Sequence, residues 1–154
     1  ASNRGCPLKS TIGDRDGDLA VLREGLWDAV IDTSAYVPRQ VRTMTQALKG
    51  RVGHYQLVST ISVYADLSLP GTEESAALAT LADPSTEVID GDSYGGLKAL
   101  CERALLEALP DRAAIVRPGL LVGPHDPTGR FTWWVQRMQR GGTVLCPGSP
   151  QSAL

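Results

Sequence analysis

Asp92-Ser93-Tyr94-Gly95-Gly96-Leu97-Lys98, running into Ala99-Leu100-Cys101-Glu102-Arg103-Ala104-Leu105-Leu106-Glu107, decides what kind of fold this 154-residue chain forms. Leu97, Leu100, Cys101, Ala104, Leu105 and Ala108 recur at helical spacing as one apolar stripe, and Leu109-Pro110 ends it. On the N-terminal side, His54-Tyr55-Gln56-Leu57-Val58-Ser59-Thr60 reads as a strand closed by hydroxyl residues; on the C-terminal side, Ala113-Ala114-Ile115-Val116-Arg117 reads as another. A helix between two strands makes a crossover unit, and a crossover unit makes the strands parallel.

The pattern extends outward. Trp27 to Ser34 is a brief apolar run closed by polar residues and reads as a buried strand. Pro38 suits the first turn of a helix, with Val37, Val41, Met44 and Leu48 at helical spacing until Lys49-Gly50 stops it. A short helix is expected over Asp18 to Glu24, with Leu19, Val21 and Leu22 inward, and an amphipathic one over Phe131 to Arg140, before the apolar run Thr143-Val144-Leu145. Residues 1–17 are loop-like, and 65–91 form a long irregular connection, which in a compact domain is a functional lid or a disordered stretch. The fold class is α/β, a parallel sheet with flanking helices. Right-handed crossovers bring Thr33-Ser34, Ser59-Thr60 and Arg117-Pro118 to one sheet edge, where ligands of such folds bind.

The chain is about one domain long. Its net charge of −2, without a Lys/Arg run, argues against nucleic acid or a membrane surface as partner. Cys6, Cys101 and Cys146 are widely spaced and lack zinc-ligand spacing, so they read as reduced, Cys101 in the core, and no metal site is expected. With no membrane-spanning run and no signal pattern, the expected location is cytoplasmic.

Tyr94 and Lys98, four apart at the head of a helix, share one face. Such pairs are commonly just solvated. In a cleft, a cation roughly 5 Å from a phenol, at an effective dielectric of about 20, is worth roughly 3 kcal/mol, or about two pKa units, which brings a phenol toward proton exchange near neutrality.

Several stretches in order resemble the extended short-chain dehydrogenase/reductase superfamily, the NAD-dependent epimerase/dehydratase family: Gly13-Asp14-Arg15-Asp16, Asp28 to Ala35, Val58-Ser59-Thr60-Ile61-Ser62-Val63-Tyr64, Ser93-Tyr94-Gly95-Gly96-Leu97-Lys98-Ala99 and Val116 to Pro124. The resemblance implies a Rossmann-like sheet, an NAD or NADP cofactor and a small-molecule carbonyl or hydroxyl substrate. Tyr94 would be the general acid/base and Thr60 would bond the reacting oxygen. Lys98 would bind the nicotinamide ribose and lower the phenol's pKa. Asp14 matches the acid that contacts adenine, although it also fits a turn or helix cap. Thr33, Ser34, Ala35 and Ser59 would line the dinucleotide, and Pro118 and Gly119 would pass beside the nicotinamide. Arg4, in Asn3-Arg4-Gly5, matches a 2′-phosphate contact, which favours NADP, and is otherwise a solvated loop residue. Family members often dimerise through helices of the kind expected here, implying a homodimer. Ser59, Thr60 and Ser62 also fit a role as strand terminators, Trp133 and Trp134 fit packing, and His125 fits a surface turn.

Two departures bear on function. No Gly-x-x-Gly-x-x-Gly phosphate-binding turn occurs, and the family's C-terminal substrate-binding portion is not represented. Residues 1–154 are therefore expected to be a partial NAD(P)-binding domain, incomplete at both ends, an internal fragment inactive by itself. Leu120 stands where sugar-nucleotide members carry an Asn, leaving room for a less polar carbonyl substrate, as in isoflavone-reductase-like members. The competing readings are a non-catalytic dinucleotide sensor or scaffold on the same fold, and an RNA-associated relative, which the acidic balance disfavours.

Overall fold

The computed structural model describes residues 11–68, 70–145 and 148–149. Three strands, β1 (Trp27–Asp32), β2 (Val52–Val58) and β3 (Ala113–Val116), form a parallel sheet in the order β1-β2-β3. Asp32 lies opposite Leu57, and Val58 opposite Val116, so all three strands finish at one edge. Each strand stops short of its polar tail. Thr33-Ser34, Ser59-Thr60 and Arg117-Pro118 therefore project from the C-terminal edge as loop residues.

One face of the sheet carries the core. Tyr55 and Leu57 of β2 point into it, and α2 (Pro38–Ala47) and α3 (Tyr94–Ala108) cover them with Val41, Leu48, Cys101 and Leu105, all fully buried. Pro38 sits in the first turn of α2, where its missing N–H is no loss, and Gly50 closes the turn that follows at φ 70°. The α3 stripe is buried at Leu97, Cys101, Ala104 and Leu105, while Leu100 is only partly buried and Ala108 is exposed. Lys98 and Glu102 are buried on the same helix, at 3% and 2% exposure.

Three expectations are corrected. Among the described residues β1 is an edge strand, not a buried one: Ile31 is 65% exposed, because both large helices lie on the other face. Trp133 and Trp134 do not pack into a core. They sit on α4 (Arg130–Gln139), which has no buried residue, and meet each other edge to face at 4.8 Å. The first helix, α1 (Ala20–Arg23), is a single turn, with Leu19 just before it buried.

The segment 65–91 contains no helix or strand among its described residues, yet it is docked. Tyr64 bridges Leu78, Ala79 N–H donates to Val63 at 2.7 Å and Ala65 N–H to Ala77 at 2.9 Å. Two glycines open α3 to these neighbours. A Cβ on Gly95 would collide with the Ser62 carbonyl, and one on Gly96 with the Leu81 side chain at 2.6 Å. The first turn of α3 thus lies directly on the 3-10 turn Ile61–Val63 that follows β2. No helix among the described residues is long and apolar enough to cross a membrane.

Candidate active site

A cavity of about 450 Å³ opens at the C-terminal strand edge, within the size range of small-molecule sites. Its wall brings together Thr33 beyond β1, Ser59 and Thr60 beyond β2, Tyr94 and Lys98 of α3, and Pro118 and Gly119 beyond β3. With Ser62 and Leu120, which line it too, nine of the residues singled out in the sequence thus meet around one space. Tyr36 and Arg130 also line it.

Thr60 is held by its own turn. Its Oγ1 accepts from Ser62 N–H at 3.1 Å and donates to Ser62 Oγ at 3.2 Å, capping the 3-10 turn. Strand termination and a place in the cleft are therefore one role here, not two. Ser59 N–H donates to Val116 at 2.7 Å, but its Oγ is buried and has no partner among the described residues, although it lines the cavity. A buried hydroxyl left unpaired costs about 1–3 kcal/mol, which a ligand atom in the cavity would recover.

Lys98 differs from expectation. Its Nζ donates to the Ala35 carbonyl at 2.7 Å and to the Val58 carbonyl at 2.8 Å, and stands 5.9 Å from the centre of the Tyr36 ring. The ammonium is therefore committed first to main-chain oxygens, clasping the end of β2 to the connection after β1. Burial pulls its pKa below the ordinary lysine value, with the negative charges of Asp32 and Glu102 opposing the shift. With two of three donors used, one remains for the cavity. Tyr94 begins α3, half-buried, its N–H donating to Asp90 at 3.0 Å and its ring 6.4 Å from that of Tyr36.

Other assigned positions separate. Ala35 does not line the cavity: its side chain is wholly buried in the core, and only its carbonyl serves the site, through Lys98. Asp14 is an exposed turn residue whose Oδ1 accepts from Asp16 N–H at 2.9 Å, and it lines neither cavity at this edge. Ser34 lines a second cavity, of about 410 Å³, and accepts from Arg15 at 2.8 Å; Thr33 is common to both spaces. Arg4 falls outside the described residues, as do Cys6 and Cys146.

Two networks behind the cleft were not anticipated. Arg15 grips Asp32 with two bonds of 2.7 and 3.0 Å, and the fully buried Tyr55 donates to the same carboxylate at 2.6 Å. Burial alone would raise Asp32, but the bonds from Arg15 and Tyr55 outweigh it and hold the carboxyl below its usual range. The Tyr55 phenol is pushed well up, by burial and by that bond. The second network joins Arg117 to Glu102 at 2.7 Å. Its sequence signal is the position of Glu102, one turn from Lys98 on the stripe side of α3; Tyr36 carried none beyond following Ser34-Ala35. Among the described residues no cluster of His, Cys, Asp or Glu is placed to hold a metal ion.

Comparison with known protein families, characterised proteins and solved structures finds no match to this chain.

Proposed function

We propose that the full-length protein is an NAD(P)-dependent oxidoreductase or epimerase/dehydratase acting on a carbonyl or hydroxyl substrate, built on a Rossmann-like sheet that includes β1 to β3. The observation that carries this reading is the convergence of Thr60, Tyr94 and Lys98, from distant parts of the chain, on one cavity at the C-terminal edge of a parallel sheet.

The residues present fit the nicotinamide-ribose half of a dinucleotide. The orphaned Ser59 hydroxyl, the remaining Lys98 donor and Thr33 offer hydrogen bonds, and Pro118 and Gly119 supply a wall without charge. When bound, the nicotinamide supplies hydride chemistry. Tyr94 holds the proton that passes to or from the substrate oxygen, and Thr60 orients that oxygen by exchanging its bond to Ser62 for one to the substrate. Lys98 keeps the strand ends in place and brings its positive charge to the cavity that Tyr94 also lines.

Tyr94→Phe in the full-length protein separates this reading from a dinucleotide sensor. Turnover of simple carbonyls with NADH or NADPH is expected to fall by about a thousandfold or more, while the dinucleotide Kd stays within about twofold. Unchanged turnover refutes the assignment; dinucleotide binding with no turnover of any carbonyl in the wild type favours the sensor.

A further inference from the structure

A single guanidinium joins the elements that supply the cleft. Arg117 follows β3 directly and precedes Pro118 and Gly119 of the cavity wall. Its Nε and Nη2 donate to the Glu102 carboxylate at 3.0 and 2.7 Å, and Glu102 lies on α3 one turn beyond Lys98. Its Nη1 donates to the Tyr64 hydroxyl at 3.1 Å and to the Glu74 carbonyl at 3.0 Å, and the group lies 4.9 Å from the centre of the Tyr64 ring. Tyr64 closes the 3-10 turn that Thr60 opens. Glu74 belongs to the long segment whose Leu78 pairs with Tyr64 and whose Leu81 rests on Gly96.

We propose that Arg117 is the positioning residue of the cleft, setting the separation between Thr60 on the turn and Tyr94 and Lys98 on α3 while docking the segment 65–91 over both. The inference rests on the proton-transfer reading of the cavity for its catalytic consequence, but not for its structural one. The chemistry favours arginine specifically. All of its donors leave one rigid plane, so fixing two on Glu102 fixes where Tyr64 and Glu74 must sit. A lysine at 117 keeps the charge beside the buried carboxylate but is a point donor, unable to hold three elements in fixed relation.

The test is Arg117→Lys, with Glu102→Gln as an independent variant of nearly equal volume, in the full-length protein. Steady-state kinetics, NADPH titration and amide hydrogen exchange are measured on each. For Arg117→Lys, kcat is expected to fall by about ten- to a hundredfold with KM and the NADPH Kd within about twofold, since misplacement of the reacting groups acts on the transition state. Exchange is expected to quicken by about tenfold or more at the amides of Val63, Tyr64, Ala79 and Leu97, with α2 unchanged. Glu102→Gln should move the same amides, and adding it to Arg117→Lys should add little. Unchanged exchange at those amides overturns the proposal whatever the activity does. So does exchange that rises equally in α2, which is plain loss of stability, or a wild-type kcat in Arg117→Lys when Tyr94→Phe is inactive. Normal turnover in Tyr94→Phe would instead refute the proton-transfer reading, and the exchange data would still decide the role of Arg117.

Discussion

Replacing Lys98 by Met keeps the length and packing of the side chain and deletes the ammonium. The structure makes the consequence calculable. The carbonyls of Ala35 and Val58 lose their bonds of 2.7 and 2.8 Å in a site where Lys98 itself is 3% exposed. The buried Ala35 carbonyl left without a donor costs about 1–3 kcal/mol and the part-buried Val58 carbonyl, at the cavity wall, somewhat less, so the pair costs about 2–5 kcal/mol. Against this, the variant no longer buries a charge, a relief whose existence is plain from the lowered lysine pKa. The net expectation is a loss of about 2–4 kcal/mol, or a Tm lower by about 5–15 °C for a domain of this size. Urea unfolding at neutral pH reads it as a lower midpoint at unchanged slope. The pH dependence carries a second signature. Because the folded chain holds the Lys98 proton less tightly than the unfolded chain, wild-type stability gains from Lys98 as pH rises through the lowered folded value toward the ordinary lysine value. The gap between wild type and Lys98→Met should therefore widen over that interval. A variant as stable as wild type to within about 0.5 kcal/mol, with no widening, would refute the clasp between the strand ends.

Tyr55→Phe removes one charge-assisted bond from Asp32 while Arg15 remains, so a loss of about 1.5 kcal/mol is expected in urea titrations at pH 7. Asp32 adds stability that is complete above the ordinary carboxylate pKa and is lost as pH falls through its depressed folded value; in Tyr55→Phe the folded value lies higher, so that loss should be smaller and finish at higher pH. Gly95→Ala puts a methyl group against the Ser62 carbonyl, and the shift of α3 off the 3-10 turn should cost about 1–3 kcal/mol and lower turnover, both read against Gly91→Ala, where a Cβ meets nothing. Burial pushes the Cys101 thiol up to about 12, so iodoacetamide at pH 8 should leave Cys101 unmodified in the folded protein and alkylate it in urea, as peptide mass mapping will report.

Much of the fold lay in local pattern. The stripe from Leu97 to Leu105 and the run from Val37 to Leu48 specify helices because a 3.6-residue period is a property of neighbours in sequence, and the crossover rule converts strand-helix-strand into a parallel sheet without further information. The gathering of Thr33, Ser59, Thr60, Tyr94, Pro118 and Gly119 at one edge follows from the same rule. What failed depended on which face is covered. An apolar run such as Trp27–Asp32 reads the same whether it is central or at an edge, and Trp133 and Trp134 carry no mark of the neighbour that would bury them.

By itself, then, the chain's order of residues determined the elements, their parallel arrangement and the strand-end residues that gather at one edge, because each depends on short-range periodicity and on chain handedness; that Ser34 and Asp14 fall outside the cleft while Tyr36 and Arg130 line it was not legible there. Only the tertiary structure decided what those residues hold. Lys98 binds carbonyls 63 and 40 residues away, and Arg117 joins Glu102, Tyr64 and Glu74 from three separate segments. Such partners are chosen by the close packing of α3 on the 3-10 turn, which Gly95 permits by leaving room for the Ser62 carbonyl. The Tyr94–Lys98 pair is legible in sequence as two residues on one face of a helix; that the lysine is first a clasp for the strand ends is a fact of packing.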